Sequence, residues 1–271
     1  MRIQQRLQEA RKRGGALLPY FTCGFPSHEL TREFVRRADA TGAAVVELGE
    51  PYSDSIADGP VIQESFYRAL EGGHRLRNTF ELSSALRGEV SCALVSMCSY
   101  SIVHRHGLQA FMQEAAGAGL DGVIIPDVPI EEAQAVYAAA DSAGLCHIGL
   151  VAPTTTPARR EQIARASTGF VYQIAAAGTT GERSGMAAGL AGEIAALRSL
   201  AQVPVCVGFG ISTAAHVREV CCVADGAIVG SALIRRIAQS TDAGKRPEAV
   251  ASDVERFLVE LSLGLSGPPA R

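Results

Sequence analysis

Short apolar runs recur along the chain, each followed by a longer stretch in which apolar residues return every three or four positions. The runs are Leu17–Cys23, Ala44–Leu48, Cys92–Met97, Asp121–Ile125, His147–Val151, Phe170–Ile174, Pro204–Val207 and Gly226–Val229. Several are apolar almost without alternation, as strands buried on both faces are. The stretches between them carry helix signals. Ser27 stands before His28, Thr156-Pro157 gives a cap followed by a first-turn proline, and Ser212-Thr213 follows the seventh run. Strand starts fall roughly 22 to 34 residues apart, except for a gap of about 48 after the second. That gap has room for an extra helix, and the residues from Val61 to Leu86 suggest two.

Alternating strands and helices predict parallel strands joined by helical crossovers. Eight such units predict an α/β fold, a (β/α)8 TIM barrel. An amphipathic helix is expected in Met1–Gly15, ahead of the first strand. No linker or low-complexity segment divides the chain, so one domain is expected over residues 1–271. Its core spans about 15–240, a C-terminal helix about 246–263, and the tail after Leu265 is expected to fray.

Composition sharpens this reading. Of 271 residues 47% are hydrophobic and 20% charged, which fits a globular chain. Net charge is 25 − 28 = −3, which argues against a general nucleic-acid or membrane-surface binder. No apolar stretch reaches the roughly 18 residues a bilayer span needs. Cysteines 23, 92, 98, 146, 206, 221 and 222 are an odd number, mostly beside apolar runs, and read as reduced, buried thiols of a cytoplasmic protein. Neither they nor the six histidines show metal-ligand spacing.

Candidate chemistry gathers where barrel sites lie, after the carboxyl ends of the strands. Glu47 interrupts the apolar run Ala44-Val45-Val46-Glu47-Leu48-Gly49, where a carboxylate loses hydration unless something compensates. Asp58 follows eleven residues later in the next loop. Gly208 and Gly210 after strand seven, and Gly230 and Ser231 after strand eight, suit a phosphate dianion held by backbone N–H groups and a helix N-terminus. The long, small-residue loop Ala175–Gly185 reads as a lid. Tyr172 lies on strand six, either as core packing or facing the mouth. Asp121 and Asp127 bracket strand four, and for Asp127 a loop anchor is as good a reading as a catalytic one. His104 and His106 read as exposed polar residues.

Glu47-Leu48-Gly49, Pro51-Tyr52-Ser53-Asp54 and Ala57-Asp58-Gly59-Pro60-Val61-Ile62-Gln63 resemble the signature of the tryptophan synthase alpha chain family, usually E-L-G-x-P-F-S-D-P-x-A-D-G-P-x-I-Q. Further segments agree in order, among them Pro19-Tyr20-Phe21-Thr22, Leu150–Thr156, Gly178-Thr179-Thr180-Gly181 and Ala224–Ser231. The resemblance implies a cofactor-free lyase that splits indole-3-glycerol phosphate into indole and glyceraldehyde 3-phosphate. It implies Glu47 as general acid/base and Asp58 as acceptor of the indole N–H. Tyr20 and Tyr172 would line the substrate, Thr180 and Gly181 would belong to the lid, and Gly208, Gly210, Gly230 and Ser231 would cradle the phosphate. It also implies a partner, a PLP-bearing beta chain in a heterotetramer, whose existence the sequence leaves open. The chain departs from the family at Glu50 (usually apolar), Ser55 (proline), Ser101-Ile102 (asparagine–proline) and Ala176 (a lid arginine). These departures point to altered coupling with a partner more than to altered cleavage. Two alternatives stay open: another phosphate-binding barrel lyase or isomerase, such as a standalone indole-releasing one, and a non-catalytic barrel that regulates a partner.

Overall fold

The computed structural model describes residues 1–56, 58–175, 189–208 and 210–265. Eight parallel strands close on themselves in sequence order. They are β1 (Ala16–Thr22), β2 (Val45–Gly49), β3 (Ala93–Met97), β4 (Gly122–Ile124), β5 (Cys146–Val151), β6 (Val171–Ile174), β7 (Val205–Gly208) and β8 (Gly226–Val229). The ring closes where Leu18 of β1 registers with Ile228 of β8. The helices are α1 (Arg2–Arg11), α2 (His28–Ala40), α3 (Pro60–Glu71), α4 (Leu76–Leu86), α5 (Tyr100–His106), α6 (Leu108–Gly117), α7 (Gln134–Ser142), α8 (Pro157–Ala166), α9 (Leu190–Leu200), α10 (Ala214–Cys221), α11 (Ser231–Asp242) and α12 (Pro247–Ser262). The expected barrel, the N-terminal helix and the extra helix after the second strand are all present. No helix among the described residues is long and apolar enough to cross a membrane.

The expected caps form as their chemistry requires. Ser27 accepts from the Leu30 N–H, Thr156 from Arg159 and Thr213 from His216. β4 is shorter than its apolar run. Asp121 instead uses its carboxylate to accept from the Leu94 N–H at 2.9 Å and from Arg87 at 2.8 Å. Beyond Ile125, Pro126 has no N–H to extend the ladder.

Alternation along each strand sorts side chains into two cores. Outward residues such as Phe21, Val46, Leu48 and Val207 pack against the helices. Inward residues, among them Ala16, Leu18, Val45, Val95, Ile124, Ile148, Phe170, Cys206 and Ile228, fill the barrel. Ile3, Leu7 and Ala10 of α1 join this inner cluster, so α1 caps the amino end. Six of the seven cysteines are buried as expected; Cys222, just past the end of α10, is exposed, and all seven are free thiols.

Two glycines of the inner layer are required by shape. A Cβ on Gly49 would lie 2.0 Å from the Tyr20 hydroxyl, and one on Gly208 would lie 2.2 Å from the Tyr172 hydroxyl. Gly49→Ala must therefore push the Tyr20 ring aside. A loss of about 1–3 kcal/mol is expected from such overpacking, read as a lower urea midpoint at unchanged slope.

Candidate active site

β2 carries Val45, Glu47 and Gly49 toward the barrel axis, because Val45 sits in the inner core and parity fixes the rest. Glu47 registers with Tyr20 of β1 on one side and Val95 of β3 on the other. It is only 1% exposed, and its Oε1 has no hydrogen-bond partner among the described residues. Burial alone pushes its carboxyl from 4.5 up to about 8. At neutral pH it is a protonated acid beneath the barrel mouth.

Two tyrosines flank it. Burial raises the Tyr20 hydroxyl well above its ordinary range, and the carboxylates of Asp58 and Glu47 add to the rise. Tyr172 behaves likewise, with burial first and Glu47 next. Its hydroxyl fills the space left by the absent side chain of Gly208. The mouth thus brings Glu47, Asp58, Tyr20 and Tyr172 together.

Asp58 stands in the loop between β2 and α3. That loop is tied by hydrogen bonds rather than by a proline ring at Ser55. The Ser55 carbonyl accepts from the Asp58 N–H at 3.0 Å and from the Gln63 amide at 3.0 Å, and the same amide donates to the Asp58 carbonyl at 2.9 Å. Burial raises the Asp58 carboxyl, and the Tyr52 hydroxyl, donating to Oδ2 at 3.3 Å, opposes that rise.

Beyond β1 on the same rim lie the glycine turns that follow β7 and β8. Gly208 ends β7, and Gly210 turns in the left-handed region at φ +72°. Gly230 precedes α11 and Ser231 opens it, and no side chain caps that helix start. Its first backbone N–H groups are therefore open to an anion. Thr180, Gly181 and Ala176, expected in the lid, lie outside the described residues. Among the described residues no cluster of histidine, cysteine and carboxylate side chains could hold a metal.

Other candidates resolve as structural. Asp127 accepts from the Ser99 hydroxyl at 2.7 Å and the Tyr100 N–H at 2.8 Å, anchoring the start of α5. Asp121 stands at the amino end of β4, away from the mouth. His104 and His106 are exposed.

Sequence reasoning missed what lies behind Glu50. This departure from the family is 2% exposed. Its Oε1 accepts from His74 Nε2 at 3.1 Å, and the Thr79 hydroxyl donates to Oε2. The remaining nitrogen of His74, Nδ1, lies 3.0 Å from His28 Nε2, so one of the two rings donates to the other. Glu50 alone gave a signal, as a carboxylate in an apolar slot. Its partners lie 24 and 29 residues away, where no local pattern points. Glu50→Val is expected to cost about 1–3 kcal/mol by stranding His74, whereas Glu50→Val with His74→Val restores part of the loss, measured as a double-mutant cycle in urea.

Comparisons with known proteins agree with this fold. The family model described as "Tryptophan synthase alpha chain" matches residues 6–262. A tryptophan synthase alpha chain of Synechococcus sp. is 42% identical over 242 residues, spanning 89% of this chain and 89% of that protein. The tryptophan synthase subunit alpha of Legionella pneumophila superposes with TM-score 0.86 at 32% identity, covering 97% of this chain and 98% of that one. A chain of the tryptophan synthase complex of Pyrococcus furiosus superposes with TM-score 0.82 at 33% identity, covering 92% and 98%. The chain belongs to the tryptophan synthase alpha chain family, the lyases that cleave indole-3-glycerol phosphate in tryptophan biosynthesis.

Proposed function

We propose that Glu47 and Asp58 carry the cleavage of indole-3-glycerol phosphate, with Tyr20 and Tyr172 beside the indole and the turns at Gly208, Gly210, Gly230 and Ser231 around the phosphate. The observation that carries this reading is the contrast between the two carboxyls at one mouth. Glu47 is buried, its Oε1 has no donor among the described residues, and it keeps its proton to about pH 8. Asp58 is less buried and accepts from a hydroxyl, which favours its charged form.

The contrast divides the labour. Protonated Glu47 gives its proton to C3 of the indole, and the ring becomes a cationic indolenine whose N–H Asp58 stabilises. Glu47, now a carboxylate, takes the proton of the glycerol hydroxyl on the carbon bonded to C3. That carbon becomes the aldehyde of glyceraldehyde 3-phosphate. The C–C bond breaks, its electrons return to the ring, and indole leaves. Glu47 ends as it began. The phosphate, far from the breaking bond, supplies binding energy that aligns it. The tyrosines and Thr180 and Gly181 of the lid loop would shield the site from water.

The partner belongs to the proposal too. A relative of this chain is part of a tryptophan synthase complex, which supports a PLP-bearing beta chain joined to this one in a heterotetramer. Ala176, Ser55 and Ser101-Ile102 fit weaker or altered coupling to it. Seven free thiols suit a reducing compartment, the cytoplasm.

Three experiments test the assignments. Glu47→Gln and Asp58→Asn should each lower kcat for indole release by at least about a hundredfold while substrate affinity changes little. Near-normal turnover in either refutes that residue's role. In the unmutated chain kcat/KM should fall as pH rises through about 8, where Glu47 loses the proton it must donate. Gly210→Asp should weaken substrate binding at least about tenfold by setting a charge against the phosphate. Gly210→Asn is the control, since both residues tolerate a positive φ. Equal affinity in the two variants moves the phosphate elsewhere.

A further inference from the structure

Tyr52 takes no part in the steps above, yet its hydroxyl meets one of the two carboxyls that do. Tyr52 Oη donates to Asp58 Oδ2 at 3.3 Å. The ring leans on Phe66 of α3, with centroids 5.5 Å apart and planes tilted by 51°. That contact needs only an aromatic ring, and the usual family form has phenylalanine at this position. The hydroxyl is therefore an addition that packing does not require. Its ring is held by α3 on one side, while the Asp58 backbone is held by Ser55 and by Gln63 of α3 on the other. The bond thus joins two fixed points of one loop.

We propose that Tyr52 is a positioning residue for the cleavage: its hydroxyl engages Oδ2 of Asp58, holds that side chain as a carboxylate and leaves Oδ1 for the indole N–H. The proposal rests on the reading of Asp58 as the acceptor of the indole nitrogen. Among the described residues no cation pairs with the Asp58 side chain, and Tyr52 is the donor that reaches it. A phenol donates to a carboxylate and has no equally good use for a protonated one, so the bond selects the charged form. The titratable groups around the contact keep Tyr52 protonated and so a donor. Tyr20 of β1 feels the Asp58 charge, and the Tyr52 hydroxyl faces Asp58, Asp127 after β4 and Cys98 after β3. Burial and these acidic neighbours push Tyr52 up to about 12, so it stays a donor throughout the working range.

Tyr52→Phe in the full chain removes the hydroxyl and keeps the ring on Phe66. The expected result is a three- to tenfold lower kcat at neutral pH, KM within about twofold, an unchanged thermal midpoint, and an acid limb of kcat/KM displaced upward by about half a unit to one unit. The upward sign follows because a lost donor leaves burial unopposed at Asp58. Both variants are compared on the same substrate, so ionisation of its phosphate cancels. Tyr52→Phe added to Asp58→Asn should cause no further loss, because the hydroxyl acts through the carboxylate. An acid limb that does not move, or an equal loss in both backgrounds, overturns the positioning role and leaves the Asp58 assignment standing. Full activity in Asp58→Asn instead overturns that assignment, and the proposal with it.

Discussion

The chemistry depends on keeping one carboxyl dry. Closing the strands into a ring sends every second side chain to the axis, and below Glu47 those positions are filled by Leu18, Val45, Val95 and Ile148. Water is excluded from beneath, while Tyr20 and Tyr172 stand beside it. The barrel gives up favourable solvation of one ionised group and gains an acid that holds its proton at neutral pH. Gly49 and Gly208 matter for the same reason. They surrender their own side-chain volume so that two phenol rings can lie across the mouth.

Three of the carboxyls at the end of β2 and in its loop differ mainly in how many donors reach them. Glu47 has an oxygen with none among the described residues, Asp58 has one hydroxyl, and Glu50 has an imidazole and a hydroxyl. A group with a donor on each oxygen is structural, and moving a proton through it would break its partners' bonds. A group with unmet capacity is available to a substrate. Glu50, although three residues from Glu47, is thereby fixed in the wall and kept out of the reaction.

Much of this was legible in the sequence because doubly buried parallel strands leave nearly unbroken apolar runs. The strand ends fall within about two residues of those runs. Glu47 was visible as a carboxylate interrupting such a run, and Asp58 as an acid in the loop that follows. The contacts that tune them were not. The Tyr52–Asp58 bond spans six residues of irregular loop, where no periodicity fixes a direction. The His28–His74 contact joins residues 46 apart, brought together only when α2 and the segment between α3 and α4 pack on the same barrel edge. Asp127 could not be sorted between catalysis and capping until the start of α5 was seen to sit on it.

α1 carries a consequence for assembly. It lies nearest the start of the sequence, yet its neighbours are scattered far along it. Arg6 donates to the Ser91 carbonyl, Gln4 to that of Thr168, Ile3 reaches Gly122, and Arg11 pairs with Asp225. A ribosome delivers this stopper long before there is a vessel to close. A ten-residue helix is marginal in water alone, and although α1 packs on β1, β2 and β3, its bonds to Thr168 and Asp225 need the last strands. Complete docking therefore includes long-range contacts, and an unfinished barrel leaves its inner apolar layers open to other chains.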